Sequence, residues 1–507
     1  MDGDQLLGIE GKETLSGHMR KLSRDIFIYG TGRVAVPLVG IVTLPILTRF
    51  FNPSDFGVLE GIATLSSVIA LFSTLMLESS AQRSYYDHKE TEEYERKKIL
   101  STSFWTIIIW NIIFFIPILL NSSKIGKLLF ANGEYGWLLL ISLTTIPIIS
   151  LFNFLKEIFR LHNQSVRYSS FTVINAFLSA GMVILFISVF EVKLMGYFLG
   201  PLIGGIIILP IVIWSVRHDI LYIFSWEELK KMLHYGLPLI PTNCSIWVLT
   251  LSDRFFLLKL TSLRELGLYA IGAKVAQIIL LFVTAFGLAW SPFILSIYSR
   301  DKEEEKRMRG SITTYYICAL ALLAVFFTVF SRYILLLFTT KEFFEAHKVI
   351  GVLALATAAA GASQVLCTGI NIVRKTKYLA LFSMIAALSN IVLNAILIPP
   401  FGFMGAAVAT AISYWFLCLL YYKKSQELYR SPYEPKKMIK MGILSCSVVL
   451  IESLISVELD PFIELVVRTL LFLSFPFSCF LWKVFDIREI TIFKREIWNM
   501  LKMRRAQ

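Results

Sequence analysis

A chain of 507 residues that is 56% hydrophobic and 17% charged, with a mean hydropathy of +0.68, is too apolar for a soluble domain, since those average about 25% charged residues. The apolar residues come in long blocks such as 106–120 and 173–190, which excludes a soluble enzyme, a disordered chain and a β-barrel of short alternating strands. The net charge of +13 raises nucleic acid as a partner until the cations are placed along the chain.

Residues 1–21 are a polar, cytoplasmic N-terminus with no apolar core, so no cleavable signal peptide is expected. Fourteen membrane spans follow, at 26–48, 56–78, 100–120, 135–155, 168–190, 194–215 and 236–258, then at 266–297, 311–331, 347–372, 376–398, 403–422, 438–457 and 462–482. Each is long enough for a hydrocarbon core of about 30 Å. Only Pro399, Pro400 and Gly402 punctuate the junction of the eleventh and twelfth. The chain closes on an amphipathic basic cytoplasmic tail, 486–507, with Ile490, Phe493, Ile497, Trp498 and Leu501 on one face.

With the N-terminus inside, roughly three quarters of the Lys and Arg residues fall in cytoplasmic segments, as the positive-inside rule requires. That asymmetry needs an even number of spans and places both termini inside. The excess charge then becomes a rim facing anionic membrane lipids, and nucleic acid drops out as a partner. No P-loop occurs. The six cysteines lie in apolar blocks without paired spacing, so they imply neither a disulfide framework nor a metal site.

The two halves align at an offset of about 210 residues. Asp55-Phe56-Gly57-Val58-Leu59 matches Glu265-Leu266-Gly267-Leu268-Tyr269, Arg167-Tyr168 matches Lys377-Tyr378, and Met195-Gly196 matches Met404-Gly405 after a slip of one. Six spans per copy make this a parallel repeat. The expected fold is an all-α polytopic membrane protein: an N-lobe (22–217), a C-lobe (228–422) and two added helices (438–482). Two lobes about a central cavity suit alternating access.

Charge at mid-membrane costs about 2.5–3.5 kcal/mol on insertion scales, so it needs a cavity or a partner. Span two carries Glu60, Thr64, Ser67, Thr74 and Glu78 at helical spacing, a polar stripe expected to face water. Arg33 in span one has Glu60 and Glu78 as candidate partners. Span seven offers Asn243, Asp253 and Arg254; span eight offers Lys274 with Gln277 beside it. Glu464 and Arg468, four residues apart, are expected to satisfy each other, and Glu452 to lie at the outer interface. Cavity cations imply an anionic ligand, because guanidinium binds phosphate bidentately and lysine acts as a point charge.

Several segments resemble the Wzx-type polysaccharide flippases: Leu47-Thr48-Arg49-Phe50-Phe51-Asn52-Pro53-Ser54-Asp55-Phe56-Gly57, Glu78 to Tyr86, Ser252-Asp253-Arg254-Phe255-Phe256-Leu257, Leu266-Gly267-Leu268-Tyr269-Ala270 with Lys274, and Trp290-Ser291-Pro292-Phe293. The resemblance spans residues 22–422 and implies a flippase, not an enzyme, of the multidrug/oligosaccharidyl-lipid/polysaccharide exporter superfamily in the bacterial cytoplasmic membrane. Its substrate would be a polyprenyl-diphosphate-linked oligosaccharide repeat unit for O-antigen, capsule or exopolysaccharide. In that reading Arg33, Arg254 and Lys274 hold diphosphate or acidic sugars. Arg83 guides the head group in, and Glu60, Glu78 and Asp253 line the path or take a coupling proton. No cofactor is expected, and a coupling proton or sodium ion is left unassigned. The chain is expected to act as a monomer alongside the polysaccharide polymerase machinery. The alternative is a cation-coupled drug or metabolite antiporter of the same architecture.

Overall fold

A computed structural model of the chain describes residues 28–484 except 29, 33, 90, 131–134, 300, 455–459 and 483. Arg33, the N-terminus 1–21 and the tail 486–507 therefore lie outside the described residues. All regular structure among the described residues is helical.

The first helix, α1 (Gly30–Phe50), ends just before a capping box. Asn52 accepts the Asp55 amide at 2.9 Å, and the Asp55 carboxylate accepts the Asn52 amide at 3.1 Å. With Pro53 at the first position, this starts α2 (Pro53–Ala70).

α2 stops inside the expected span 56–78. Residues 71–76 leave the helix, Leu75 and Met76 take φ of 51° and 58°, and a separate α3 (Leu77–Asp87) follows. The freed carbonyls find donors on α4 (Glu93–Leu120): Trp110 Nε1 donates to Phe72 O at 2.7 Å and Asn111 Nδ2 to Ser73 O at 3.1 Å. An orphaned backbone group at membrane depth costs several kcal/mol, and these two side chains remove that cost. The expected single polar stripe is therefore corrected: Glu60 and Glu78 sit on different helices, and Thr64 is buried.

The short α5 (Ser122–Leu129) is followed by α6 (Gly136–Leu161), α7 (Ser165–Ser188) and α8 (Lys193–Ser215), with α8 packed against both α7 and α6. An amphipathic α9 (Trp226–Gly236) leads to α10 (Ile240–Leu260), α11 (Leu263–Ala276) and α12 (Ile279–Tyr298), so the expected span 266–297 breaks at Gln277 and Ile278. Next come α13 (Lys302–Val329), α14 (Ser331–Phe338), α15 (His347–Leu366) and the single turn α16 (Thr368–Ile372).

α17 (Lys377–Leu428) consists of two arms joined at Gly402, whose φ of 54° is open to glycine but costly for other residues. Ser383 and Tyr421 bond across the arms at 2.9 Å, so they fold back on each other. The Glu265 carboxylate accepts the Phe403 amide at 3.2 Å and pins the turn to α11. This turn falls where the two prolines and Gly402 mark it in sequence.

Ten helices among the described residues are long and apolar enough to cross a bilayer, against fourteen expected spans. The shortfall has physical sources. α2 carries Asp55 and Glu60 in 18 residues, and α10 carries Asp253, Arg254 and Lys259. α18 (Pro435–Leu454) opens on Lys436, Lys437 and Lys440, and the two arms of α17 count once.

The main apolar core runs from Phe56 and Leu59 on α2 through Leu268 on α11 to Ile350 and Ala354 on α15. Outward, Ile109, Ile112 and Ile116 on α4 and Phe462, Leu470 and Phe477 on α19 (Pro461–Leu481) are exposed, as a surface in contact with lipid tails allows.

Two buried arginines tie the C-terminal helices down. Arg468 bonds Glu464 at 2.9 Å, as its spacing implies, but also Glu452 at 3.0 Å and the Val329 carbonyl at 2.7 Å. Glu452 is thus buried and paired, not interfacial. Arg309, which falls in the expected cytoplasmic segment between spans 266–297 and 311–331, is fully buried with Glu305 at 2.9 Å, the Tyr433 hydroxyl at 3.3 Å and the Ser431 hydroxyl.

Candidate substrate site

The site begins where α2 and α11 touch. A Cβ on Gly57 would overlap the Leu263 carbonyl oxygen, and one on Gly267 would overlap that of Pro53. The contact is reciprocal, and each glycine is the repeat partner of the other in the sequence alignment. Without side chains here the helices approach closely, as at small-residue membrane interfaces.

That approach sets Glu60, one turn further along α2, against α10 and α11. Arg254 Nε lies 2.5 Å from Glu60 Oε1, and Lys274 Nζ lies 3.3 Å from Glu60 Oε2. Arg254 also reaches Asp253 Oδ1 at 3.2 Å and the Thr250 carbonyl at 2.9 Å. The Tyr269 hydroxyl donates to Asp253 Oδ2, and Thr410 donates to the same oxygen at 3.4 Å. Two carboxylates thus meet two cations. Paired and hydrogen-bonded, such groups are tolerated away from water, but removing one partner leaves a costly buried charge.

The two cations differ in access. Arg254 is 4% exposed and faces carboxylates, so it is not the open phosphate-binding group expected from its place in span seven. Lys274 is 37% exposed and reaches a cavity of about 540 Å³ between α1, α7, α8 and the α11–α12 break. Thr43, Tyr197 and Gln277 join it there; the rest of the wall is mainly aliphatic, and Lys274 is its one charged group among the described residues.

Glu78 is elsewhere. It lines a second cavity of about 500 Å³ between α2, α6 and α8, with Ser66, Ser67, Thr74, Ser142 and Asn153. Tyr197 and Pro201 belong to both walls. Asn243 donates to the Leu239 carbonyl at 3.0 Å and touches Met76 Sδ at 3.7 Å, so it braces the α2–α3 break and lines neither cavity. Arg83 is exposed on α3, its guanidinium 4.5 Å from the centre of the Tyr235 ring.

The structure therefore unites Glu60, Asp253, Arg254, Lys274 and Gln277 and separates Glu78, Asn243 and Arg83 from them. Sequence reasoning missed Tyr197, Thr410, Ser142 and Asn153 as site residues. It also gave Tyr269 no role, although Tyr269 stands in the quoted Gly-x-Tyr segment.

The solved structure of lipid II flippase MurJ in an inward closed conformation shares this fold: the TM-score is 0.67 over 90% of this chain and 99% of that chain, at 17% identity. The class so defined is a multi-pass helical membrane protein. The chain belongs to the polysaccharide biosynthesis protein family, the Wzx-like branch of the exporter superfamily, whose model matches residues 22–298. A second model, MatE, matches residues 238–396. Lsg locus putative protein 1 of Haemophilus influenzae (strain ATCC 51907 / DSM 11121 / KW20 / Rd) is 24% identical over 301 residues, 56% of this chain and 68% of that one. Probable multidrug resistance protein NorM of Bacillus subtilis (strain 168) is 23% identical over 204 residues, 38% of this chain. The match spans 45% of the Bacillus protein's length.

Proposed function

We propose that this protein moves a polyprenyl-diphosphate-linked oligosaccharide from the inner to the outer leaflet of the bacterial cytoplasmic membrane, by alternating access between an N-lobe and a C-lobe. The observation that carries this reading is Lys274: one ammonium group entering a cavity otherwise walled mainly by aliphatic side chains. A diphosphate joined to an isoprenoid chain presents the matching chemistry, a compact anion beside an apolar tail.

The cluster suggests how the anion is taken and released. Glu60 is shared between Arg254 at 2.5 Å and Lys274 at 3.3 Å. An arriving phosphate competes with Glu60 for Lys274, while Arg254 keeps Glu60 compensated. Release returns Lys274 to Glu60. In the orientation set by the positive rim, the Gly57–Gly267 contact closes the outer end, and export requires α2 and α11 to part there. Arg83 lies at the cytoplasmic approach.

The test uses proteoliposomes loaded with a fluorescent polyprenyl-diphosphate sugar. The wild-type protein exposes the sugar to an external glycosidase faster than empty vesicles do, and Lys274→Ala does not. Equal rates in all three oppose the reading.

One observation favours the second reading, a cation-coupled antiporter. Glu78 places a carboxylate in a cavity without a described lining cation, a wall suited to a cationic solute. Cation-dependent efflux of a dye such as ethidium by the same vesicles, without sugar exposure, selects it.

A further inference from the structure

Most of the second cavity's serine and threonine hydroxyls have their protons already engaged. Four of its hydroxyls give their single proton to a backbone carbonyl three or four residues earlier: Ser67, which also accepts Trp247 Nε1 at 2.8 Å, to Thr64 O at 2.7 Å, Ser73 to Ala70 O at 2.7 Å, Thr145 to Ile141 O at 3.0 Å and Ser150 to Pro147 O at 3.0 Å. A hydroxyl so engaged offers the cavity only lone pairs. Ser66 and Ser142 share one bond at 2.7 Å, which uses one of their two protons. Glu78 has no hydrogen bond or ion pair among the described residues, and an ionised carboxylate can only accept.

No Lys or Arg lines this cavity among the described residues. The cations further along α6 act on Glu78 through space, without a bond to it. Arg160 bonds Glu157 at 2.8 Å and Gln82 at 2.8 Å, and Lys156 lies over the Phe152 and Tyr168 rings. The cavity is thus rich in acceptors and holds the Glu78 carboxyl, while Asn153, Thr74 and Tyr197 bring it a few donors. Its volume of about 500 Å³ lies within the range of small-molecule sites, about 300–1,000 Å³.

From this juxtaposition we infer that the cavity of Glu78, Ser67, Thr74 and Asn153 is a subsite for a neutral or N-acylated sugar residue, held through its hydroxyl and amide protons, and that it rejects uronic acids. The inference rests on the function just proposed and sharpens it. Lys274 takes the diphosphate, and Tyr197, common to both walls, separates that anion from the sugar. Sugar hydroxyls and acetamido N–H groups supply protons to these acceptors, and Asn153 and Tyr197 can donate back to sugar oxygens. A uronate carboxylate would face the Glu78 carboxyl with no lining cation between them among the described residues.

The experiment measures affinity of the full chain in lipid nanodiscs for three probes: undecaprenyl diphosphate, the same lipid carrying N-acetylglucosamine, and the same lipid carrying glucuronic acid. The N-acetylglucosamine lipid binds about tenfold more tightly than the glucuronate lipid, the factor that about 1.4 kcal/mol gives. Glu78→Gln, checked for an unchanged melting temperature, removes that preference, and Lys274→Ala weakens all three probes alike. If the wild type binds both sugar lipids equally, or Glu78→Gln keeps the preference, the subsite is wrong while the flippase reading stands. If the wild type binds none of the probes, the flippase reading falls and the subsite falls with it.

Discussion

Arg254 Nε lies 2.5 Å from Glu60 Oε1, although 194 residues separate them in sequence. This bond joins α2 to α10 at the place where the charge of both would otherwise be intolerable. It also encloses Arg254 between carboxylates and leaves Lys274 as the more open of the two cations.

Arg254→Ala should be strongly destabilising, because Glu60 and Asp253 lose their shared partner in a buried setting. The expected cost is about 3–5 kcal/mol, the range for breaking a buried pair by removing one partner. The melting temperature of the detergent-purified protein reports it. Adding Glu60→Gln should recover part of the loss, since the two positions are coupled. Additive losses would oppose this pairing.

Lys274 behaves differently. Its ammonium is partly exposed, so Lys274→Ala should leave expression and melting near wild type while export of surface polymer fails. Lys274→Arg should retain export in part, because the positive charge remains while its shape changes. Quantified surface polymer, normalised to protein level, is the check.

The contact between Gly57 and Gly267 should tolerate no added methyl group. Gly57→Ala and Gly267→Ala each place a Cβ on a backbone carbonyl, which cannot rotate away. Overpacking of this kind costs typically about 1–3 kcal/mol. Either variant should favour states in which α2 and α11 part. Spin labels at Asn52→Cys and Ser262→Cys, in a chain whose six native cysteines are replaced, should report a longer distance.

At the other end of the chain, Arg468→Ala leaves Glu452 without its buried partner and Glu464 with Arg332 alone, at 3.3 Å. Limited proteolysis should then release α18 and α19 before the rest of the molecule is cut. Intact protection of both helices would show that the apolar contact with α13 suffices alone.

Much of this was legible in the sequence because hydropathy and punctuation act locally. The turn at Gly402 follows from Pro399, Pro400 and a glycine able to take positive φ. Glu464 and Arg468 are one helical turn apart, so their pairing needs no tertiary knowledge. The unwinding at 71–76 was not legible, because the donors that permit it, Trp110 and Asn111, come from another helix. For the same reason the stripe from Glu60 to Glu78 looked continuous. Arg309 looked like a rim cation because its tyrosine and serine neighbours lie more than a hundred residues away. The division of labour between Arg254 and Lys274 depends on which of them Glu60 and Asp253 enclose, and spacing alone carries no such information.

The proposed carriage of lipid-linked oligosaccharide, with Lys274 meeting the anion, has a direct readout in living cells. The most direct measurement follows the lipid-linked repeat unit in cells depleted of the chromosomal copy. The account predicts that the unit accumulates in the cytoplasmic leaflet and surface polymer disappears, with both defects reversed by the wild-type gene and neither by Lys274→Ala. Undiminished surface polymer in depleted cells that have no second flippase, or full rescue by Lys274→Ala, would contradict it.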